Sequence, residues 1–514
     1  MTLALLCVTA FAQTRPFEAG DPVEPRTEID RLVFARLAQL DLPPARLCSD
    51  AVFVRRVYLD LIGMLPEPEA VRAFLEDDAP GKRAALIEEL LQREEFADYF
   101  AMKWSDVLRV KAEFPINLWP NAVQAYHQWI RASIRSNLPY DRFCRELLTS
   151  SGSCFRVPPV NFYRAVQNRE PEGLAAAVAQ TFMGARLEHW PPERRQGLSA
   201  FFSRVGYKAT SEWKEQIVLF DASTPVPSDA AFPGGRPVAL DAAQDPRQVF
   251  ADWLITPENP WFARCICNRL WSWLLGRGIV HEPDDIRADN PAVNPELLAH
   301  LEQELVAADY DLRQVIRSIV NSNTYQLSAV PAESLPASRR EEAAAHFAFY
   351  SLRPLEAEVL IDVLCQITGT TEEYQSAIPE PFTFIPEEAR AVELADGSIT
   401  SPFLELFGRP ARDTGLESER NAQPTVGQRL HLLNSSHVMK KIEQSRKLKR
   451  LLRRTKRPRQ MANQLYLLVL SRFPTPAELK KIQAYVDSGA GSRGESGVDL
   501  VWALMNSTEF LHRH

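Results

Sequence analysis

The chain has 514 residues, which is too long for one compact core and predicts two or three domains. Its 45% hydrophobic and 24% charged residues are ordinary for a soluble globular protein, and its net charge of −7 argues against a general nucleic-acid binder. Beyond the N-terminus the sequence contains no apolar run long enough to predict a transmembrane span.

Residues 1–20 are predicted to be a signal peptide or an apolar N-terminal segment. The stretch that ends in Ala10-Phe-Ala12 has the small-x-small pattern of a secretory cleavage site, although it lacks a basic start. Cys7 does not follow the small residue that a lipoprotein signal needs, and an ordinary apolar tail is the alternative. The pattern favours export to the periplasm or the cell envelope.

Residues 27–206 are predicted to form a first helical domain. Thr27-Glu-Ile-Asp30 is a helix start with a capping residue and an acid three positions later. Apolar residues then recur at helical spacing, and the aromatic residues within this pattern are expected to be core. Further helices are predicted over residues 50–61, 69–77, 81–92, 95–110, 121–136, 140–149 and 172–185.

Residues 207–244 change character and are predicted to be a linker with short strands over 215–220 and 236–240. Residues 245–513 follow as a second helical domain, with a loop region over 369–423. We therefore expect a mainly α fold with two helical domains joined by a short β-hairpin or linker. Helices in the second domain are predicted over residues 246–255, 260–275, 295–306, 311–323, 340–350, 355–368, 424–434, 437–453, 458–471 and 475–488.

Six cysteines lie beyond residue 12, and none belongs to a Cys-x-x-Cys motif or to a paired zinc spacing. An oxidising compartment would permit disulfides, and Cys144 and Cys154 are the pair nearest to loop-closing distance. Buried free thiols are the favoured interpretation for Cys48 and Cys365.

The densest polar segment lies between two predicted helices and includes Arg277, Arg287 and Asp289. Oxygen ligands this close together suit calcium or a sugar, but the segment lacks the glycine and the final glutamate of an EF-hand loop. The alternative is that its acids cap helices or pair with arginines. A buried arginine in the preceding helix also needs a carboxylate, from Asp284 or Glu419. We interpret these residues as an interdomain polar network first and a ligand pocket second; the candidates are Asn268, Arg269, Arg277, Asp284, Asp285, Asn290, Asn294, Glu419 and Arg420.

Residues 446–459 carry nine basic residues in fourteen positions. A solvated helical face is the favoured interpretation, and contact with an acidic polysaccharide through Arg450, Arg453 and Arg454 is the alternative. The run contains no aromatic residue for base stacking, and we predict no nucleic-acid partner. The histidines form no metal pair with a third ligand nearby, and no catalytic motif can be assembled from the sequence.

Residues 55–66 read Arg-Arg-Val-Tyr-Leu-Asp-Leu-Ile-Gly-Met-Leu-Pro. This phrase resembles the first of the paired domains of unknown function that accompany planctomycete cytochrome C modules, PSCyt-two followed by PSD-one. Asn259-Pro-Trp-Phe-Ala-Arg264 and Ser322-Asn-Thr-Tyr-Gln-Leu-Ser328 match the second. Further matches follow in the family's order at residues 268–271, 275–280, 283–287, 290–291, 294–298, 406–410, 419–420, 432–434 and 470–475.

The chain departs from this family where many members carry Cys-x-x-Cys-His, which resembles a c-type haem attachment site. Residues 186–194 contain no cysteine, and His189 is what remains of the ligand position. The family carries a second phrase with cysteine, and the matching residues 416–420 of this chain contain none. The loss of cysteine from both places predicts that they are adjacent in the fold.

The resemblance therefore implies an exported binding or scaffold protein of the envelope, without covalent haem and with cytochrome-type or other envelope proteins as possible partners. One alternative is a hydrolytic enzyme or binding protein acting on envelope or polysaccharide material, with the 284–294 loop and Arg269 at its site. The other is a redox protein that binds haem non-covalently through His189.

Overall fold

The computed structural model describes residues 16–20, 23–421, 423–455, 457–488 and 493–514. The predicted cleavage site at Ala12 lies outside the described residues. Within the described ranges, no helix combines the length and the apolar character that crossing a bilayer requires.

The N-terminal domain is built from short helices. A capping box opens the first helix, in which Thr27 accepts from the backbone N–H of Asp30 and Asp30 accepts from that of Thr27. The second helix stops at Gly63, whose φ of 62° is left-handed and costs glycine little. The helices are α1 Glu28–Gln39, α2 Asp50–Ile62, α3 Pro68–Glu76, α4 Lys82–Gln92, α5 Glu94–Val107, α6 Pro120–Arg135, α7 Tyr140–Thr149, α8 Asn161–Arg164, α9 Pro171–Met183 and α10 Pro192–Ser199.

A small antiparallel sheet separates the two helical domains. It contains β1 Gly152–Ser153, β2 Val205–Ala209 and β3 Gln216–Phe220, with β3 in the centre. The prediction of a strand over 215–220 is confirmed, but the prediction of a strand over 236–240 is wrong. Pro237 has no N–H to donate to a ladder, and this segment makes only an isolated bridge between Ala231 and Pro237.

The second domain is also helical, and the mainly α class with two helical domains is confirmed, since 54% of the chain is helix and 5% is strand. Its short strands β4 Arg353–Pro354 and β5 His512–Arg513 pair in antiparallel fashion. Its helices are α11 Pro246–Leu254, α12 Phe262–Leu275, α13 Pro295–Ala307, α14 Leu312–Asn321, α15 Arg340–Ala345, α16 Ala357–Thr368, α17 Pro402–Leu406, α18 Val426–Asn434, α19 Ser436–Gln444, α20 Arg446–Arg454, α21 Pro458–Leu470, α22 Pro476–Asp487, α23 Arg493–Met505 and α24 Thr508–Leu511.

Two helix predictions in this domain are wrong in detail, and helix α23 is missed. The predicted helix over 437–453 is two helices, because Ser445 leaves helical geometry, caps α20 and donates to the Thr368 carbonyl. The predicted helix over 340–350 ends at Ala345, since Phe347 adopts a φ of 61°. Helix α23 was not predicted, because its first residues are polar and glycine-containing.

The two domains share one continuous cluster of buried apolar residues. An arginine pair on α2 strengthens this junction: Arg55 donates to the carbonyls of Val469 (2.8 Å) and Phe510 (3.0 Å), and Arg56 donates to the carbonyl of His514 (2.9 Å). The first helices of the chain are therefore fixed to its last described residues. The sequence separates the domains by a linker, whereas their packing joins them.

The six cysteines in the described ranges are free thiols. Cys144 and Cys154 are both buried and unbridged, so the structure does not support the disulfide that their spacing suggested. Cys48 is buried, as predicted, and Cys365 is half-buried.

Candidate functional site

Arg269 and Asp284 form a buried ion pair between α12 and the loop that follows it. The Arg269 guanidinium lies 2.8 Å from the Asp284 carboxylate, and the two side chains are 1% and 3% exposed. Arg269 also donates to the Thr181 carbonyl of the N-terminal domain (2.9 Å). The expectation that a buried arginine on this helix needs a carboxylate is confirmed, and of the two predicted partners Asp284 supplies it.

Two other candidates hold backbone segments. Asn268 donates to the Val280 carbonyl and accepts from the Val280 N–H, both at 2.9 Å, which fixes the turn after α12. Asn294 caps α13 by accepting from the Leu297 N–H (3.0 Å) and donates to the Leu32 carbonyl (3.1 Å). Both amides are therefore occupied by the protein.

The remaining polar candidates of this loop lie nearer the surface. Arg287 lies 3.3 Å from Asp285, and Asn290 donates to the Asp285 carbonyl (2.8 Å). Arg277 is half-buried, and its Nε has no hydrogen-bond partner within the described protein. In the described part of the chain, no three His, Cys, Asp or Glu side chains are grouped as a metal site would require. The calcium site stays a prediction.

Glu419 and Arg420 fix a segment of the long loop. Glu419 accepts from the backbone N–H groups of Asp413 (2.8 Å) and Thr414 (3.2 Å). Arg420 donates to Glu358 and Asp106, both at 2.7 Å, and so joins the loop to α16 and α5. Burial alone would raise the pKa of Glu358, but the Arg420 guanidinium lowers it to about 2.

These contacts bring a further residue, Glu417, into the site. The Asp284 carboxylate accepts from the Glu417 N–H (2.6 Å), so the ion pair with Arg269 holds one end of the 417–420 segment. The network around Arg420 holds the other end. Trp273 Nε1 donates to the Glu417 carboxyl (3.1 Å), and burial raises the pKa of this carboxyl although Lys103 opposes the shift.

Glu417 lies on the wall of a cleft of about 960 Å³, here called the junction cleft. Lys103 is the residue that the N-terminal domain contributes, and its ammonium lies 2.6 Å from Glu356, which also lines the cleft. Burial would raise the pKa of Glu356, but Arg513 and Lys103 hold it well below its usual range. The junction cleft thus contains two carboxyl groups whose pKa values move in opposite directions. Its other lining residues include His281, Arg353, Phe407, Ser418, Arg420, Asn421, Gln428, Arg429, Leu432 and His512.

Of the predicted pocket residues, the structure places only Arg420 on the lining of the junction cleft, while Arg269, Asp284 and Glu419 support the segment that forms its wall. Lys103, Glu356 and Glu417 were missed. No local pattern marks them, because they come from three distant parts of the chain. The only sequence feature that could have indicated Glu417 is the need of Arg269 for a buried carboxylate, because that carboxylate, Asp284, also accepts from the Glu417 N–H.

The residues just before the position that carries the haem motif in relatives contact the 413–420 segment. The Gln180 side chain donates to the Thr414 carbonyl (2.9 Å), and Arg269 donates to the carbonyls of both Thr181 and Gln180. These contacts come from residues 180–181 and not from residues 186–194, so the adjacency of 186–194 and 416–420 stays a prediction. His189 is 43% exposed, and its Nε2 lies 4.0 Å from Asp285.

Helix α20 presents most of its basic side chains to solvent while Leu448 packs into the core, and Lys447 donates to the Gln366 carbonyl (3.0 Å). Arg450, Arg453 and Arg454 are exposed, and none of them forms an ion pair within the described ranges. The arrangement fits a solvated face, which leaves these cations accessible to a polyanion.

Comparison with known protein families assigns both halves of the chain. Residues 28–188 match the family described as PSCyt2, protein of unknown function (DUF1549), and residues 246–486 match PSD1, protein of unknown function (DUF1553). No curated protein and no solved structure matches the chain. The matched order is the one that the sequence phrases indicated. The chain therefore belongs to the family in which a PSCyt2 domain is followed by a PSD1 domain, as a member without the Cys-x-x-Cys-His motif.

Proposed function

We propose that this chain is an exported, envelope-associated binding protein whose ligand occupies the junction cleft. The observation that carries the proposal is the anchoring of Glu417. Buried ion pairs involving Arg269 and Arg420 hold its segment on both sides, while its carboxyl stays on the wall of a large cleft. A polar side chain supported in this way on the wall of a concave site is what a binding site requires.

The lining favours a hydroxyl-rich polymer such as an envelope polysaccharide. Ser418, Asn421 and Gln428 offer neutral donors and acceptors, and Phe407 and Leu432 offer apolar surface. Arg429 on α18 is exposed and forms no ion pair within the described ranges, so it is available to an acidic group. The cations of α20 would add attraction for an acidic polymer.

Export is supported by the apolar N-terminal sequence that ends in Ala10-Phe-Ala12. The family's association with cytochrome modules supports cytochrome-type or other envelope proteins as partners. The proposal includes no covalent haem, because no pair of cysteines stands beside a histidine in the sequence. After denaturation, which releases non-covalent haem, the purified chain should show no Soret band, and a band that stays with the chain would contradict this part of the proposal.

Hydrolysis of the bound polymer is the second candidate function. Of the two cleft carboxyls Glu417 and Glu356, Glu417 is the more easily protonated and Glu356 the more firmly ionised. In hydrolases, two carboxyl groups with different environments have different pKa values, so that one acts as the acid and the other as the base or nucleophile. In this function Glu417 would donate the proton to the leaving group.

Binding is tested with the full chain by titration calorimetry against neutral hexasaccharides, polygalacturonate fragments and heparin. Glu417→Gln and Arg429→Gln should each weaken binding at least about tenfold, which corresponds to about 1.4 kcal/mol. Glu405→Gln is the matched control, because Glu405 is an exposed carboxyl that does not line the cleft. Equal affinity of all the variants and the wild type would refute the proposal.

Hydrolysis is tested on the same ligands by measuring new reducing ends. Release that is lost in Glu417→Gln and kept in Glu405→Gln would establish the second function. Binding without release would leave the chain a binding protein.

A further inference from the structure

Helix α20 carries a dense group of exposed cations, here called the basic face: Arg446, Lys449, Arg450, Arg453 and Arg454. They recur at the three- and four-residue spacing that places side chains on one side of a helix. All five are exposed, and none forms an ion pair within the described ranges. Because the whole chain has a net charge of −7, this concentration of positive charge is a local feature of α20.

The opposite side of α20 fixes the basic face to the domain. Leu448 is buried, and Leu451 and Leu452 are half-buried against the apolar core. Lys447, at the margin of the face, is engaged with the Gln366 carbonyl. The five cations are therefore presented on a helix that the core holds in place, and their charge is available to a partner.

Helix α18 presents an apolar stripe to solvent. Val426, Leu430 and Leu433 lie at positions i, i+4 and i+7, which is one side of a helix, and they are 76%, 53% and 41% exposed. Leu432, which points the other way, is buried, and Arg429 at the edge of the stripe is exposed. A helix normally turns such a stripe toward the core, so its exposure marks a contact surface.

Only α19 separates the apolar stripe from the basic face. Its nine residues span about 14 Å. It exposes one cation, Lys440, and one carboxylate, Glu443, whose charges cancel. A single partner that covers both features must therefore offer apolar groups and negative charge over a distance greater than the length of α19.

Charge and polarity distinguish three kinds of partner. An acidic polysaccharide would pair with the basic face, but it offers little apolar surface to the stripe on α18. A second copy of the chain could cover the stripe, but a two-fold contact there would bring two basic faces together. A bilayer that contains anionic lipids offers phosphate groups to the cations and an acyl boundary to the apolar side chains.

We propose that α18, α19 and α20 form a surface that binds the headgroup region of an anionic phospholipid bilayer. The cations of the basic face pair with lipid phosphates, and Val426 and Leu430 enter the acyl boundary. The chain thus lies on the bilayer surface through these helices. This contact does not depend on a ligand in the junction cleft.

The test is sedimentation of the full chain with vesicles of equal parts phosphatidylglycerol and phosphatidylcholine, and with phosphatidylcholine vesicles in parallel. The wild type should bind the anionic vesicles, and less strongly as salt is added, because salt screens exposed charges. Replacing Arg450, Arg453 and Arg454 by glutamine should weaken binding about a hundredfold, which is about fivefold for each cation. Val426→Gln combined with Leu430→Gln should weaken it about tenfold, because two apolar side chains no longer leave water.

A matched control removes three exposed cations from other elements. Replacing Arg142 on α7, Lys208 on β2 and Arg340 on α15 by glutamine changes the net charge by the same amount as the α20 variant. This control should bind the anionic vesicles like the wild type. Circular dichroism of each variant establishes that it is folded.

The outcomes identify the partner. Binding that needs phosphatidylglycerol and is weakened in the α20 and α18 variants, but not in the control, supports the proposal. It is overturned if the wild type does not sediment with anionic vesicles, if the control loses as much binding as the α20 variant, or if the α18 variant binds like the wild type. Without vesicle binding, retention on heparin would indicate an acidic polymer, and a dimer that the α18 variant dissociates would indicate a second copy.

Discussion

Removing either partner of the Arg269–Asp284 pair should strongly destabilise the protein. Both side chains are almost fully buried, and replacing Asp284 by leucine leaves the Arg269 guanidinium with the carbonyls of Thr181 and Gln180 as its remaining partners. Breaking a buried ion pair in this way costs about 3–5 kcal/mol. The same substitution takes the acceptor from the Glu417 N–H, which costs about 1–3 kcal/mol where the group stays buried.

A double-variant cycle isolates the pair. Asp284→Leu and Arg269→Met should each lower the free energy of unfolding, and the double variant should lose about 2 kcal/mol less than the sum of the two, because it leaves no unpaired charge. Urea unfolding followed by the fluorescence of the ten tryptophans measures all three values.

The exposed pair of Arg145 and Asp252 is the matched control. Its atoms are 2.6 Å apart, but its side chains are 44% and 64% exposed, so Asp252→Leu should cost less than about 1 kcal/mol. If Asp284→Leu costs no more than this control, the pair does not anchor the wall of the junction cleft.

Three further measurements test the ionisation of Glu417 and Asp362 and the exposed basic face of α20. Burial raises the Glu417 pKa above 4.5, so folding favours the protonated form of this carboxyl group. The resulting stabilisation is complete below pH 4.5 and is lost as the pH rises through the folded-state pKa. Glu417→Gln should therefore be stabilised relative to wild type at pH 8 but not at pH 4. Burial likewise raises the pKa of Asp362 to about 7 despite the opposing charge of Arg390. The free energy of unfolding of the wild type should therefore fall between pH 3.8 and 7 by up to about 1.4 kcal/mol per pH unit. Urea unfolding of Asp362→Asn should show a smaller fall over the same range. Replacing Arg450, Arg453 and Arg454 together by glutamine should move elution from heparin to lower salt, whereas neutralising the two lysines of α22 should not; equal elution of both variants would show that α20 is only a solvated face.

The sequence by itself determined the parts of the structure that depend on neighbouring residues. The capping residues Thr27 and Thr475 start helices α1 and α22 where the pattern places them, because a cap needs only the three residues that follow it. The pairing need of Arg269 was also visible, since a buried charge requires a partner. The break at Ser445 was not, because it depends on a bond to Thr368, far away in the chain.

Only the tertiary structure decided what the candidate site is made of. Lys103, Glu356 and Glu417 meet in the junction cleft from three separate segments. The pKa of a carboxyl group and the hydrogen bonding of a buried polar atom depend on how completely distant parts of the chain exclude water around it. The spacing of residues along the chain does not indicate that burial. The family could therefore be identified from the sequence, whereas the junction cleft could be located only in the folded structure.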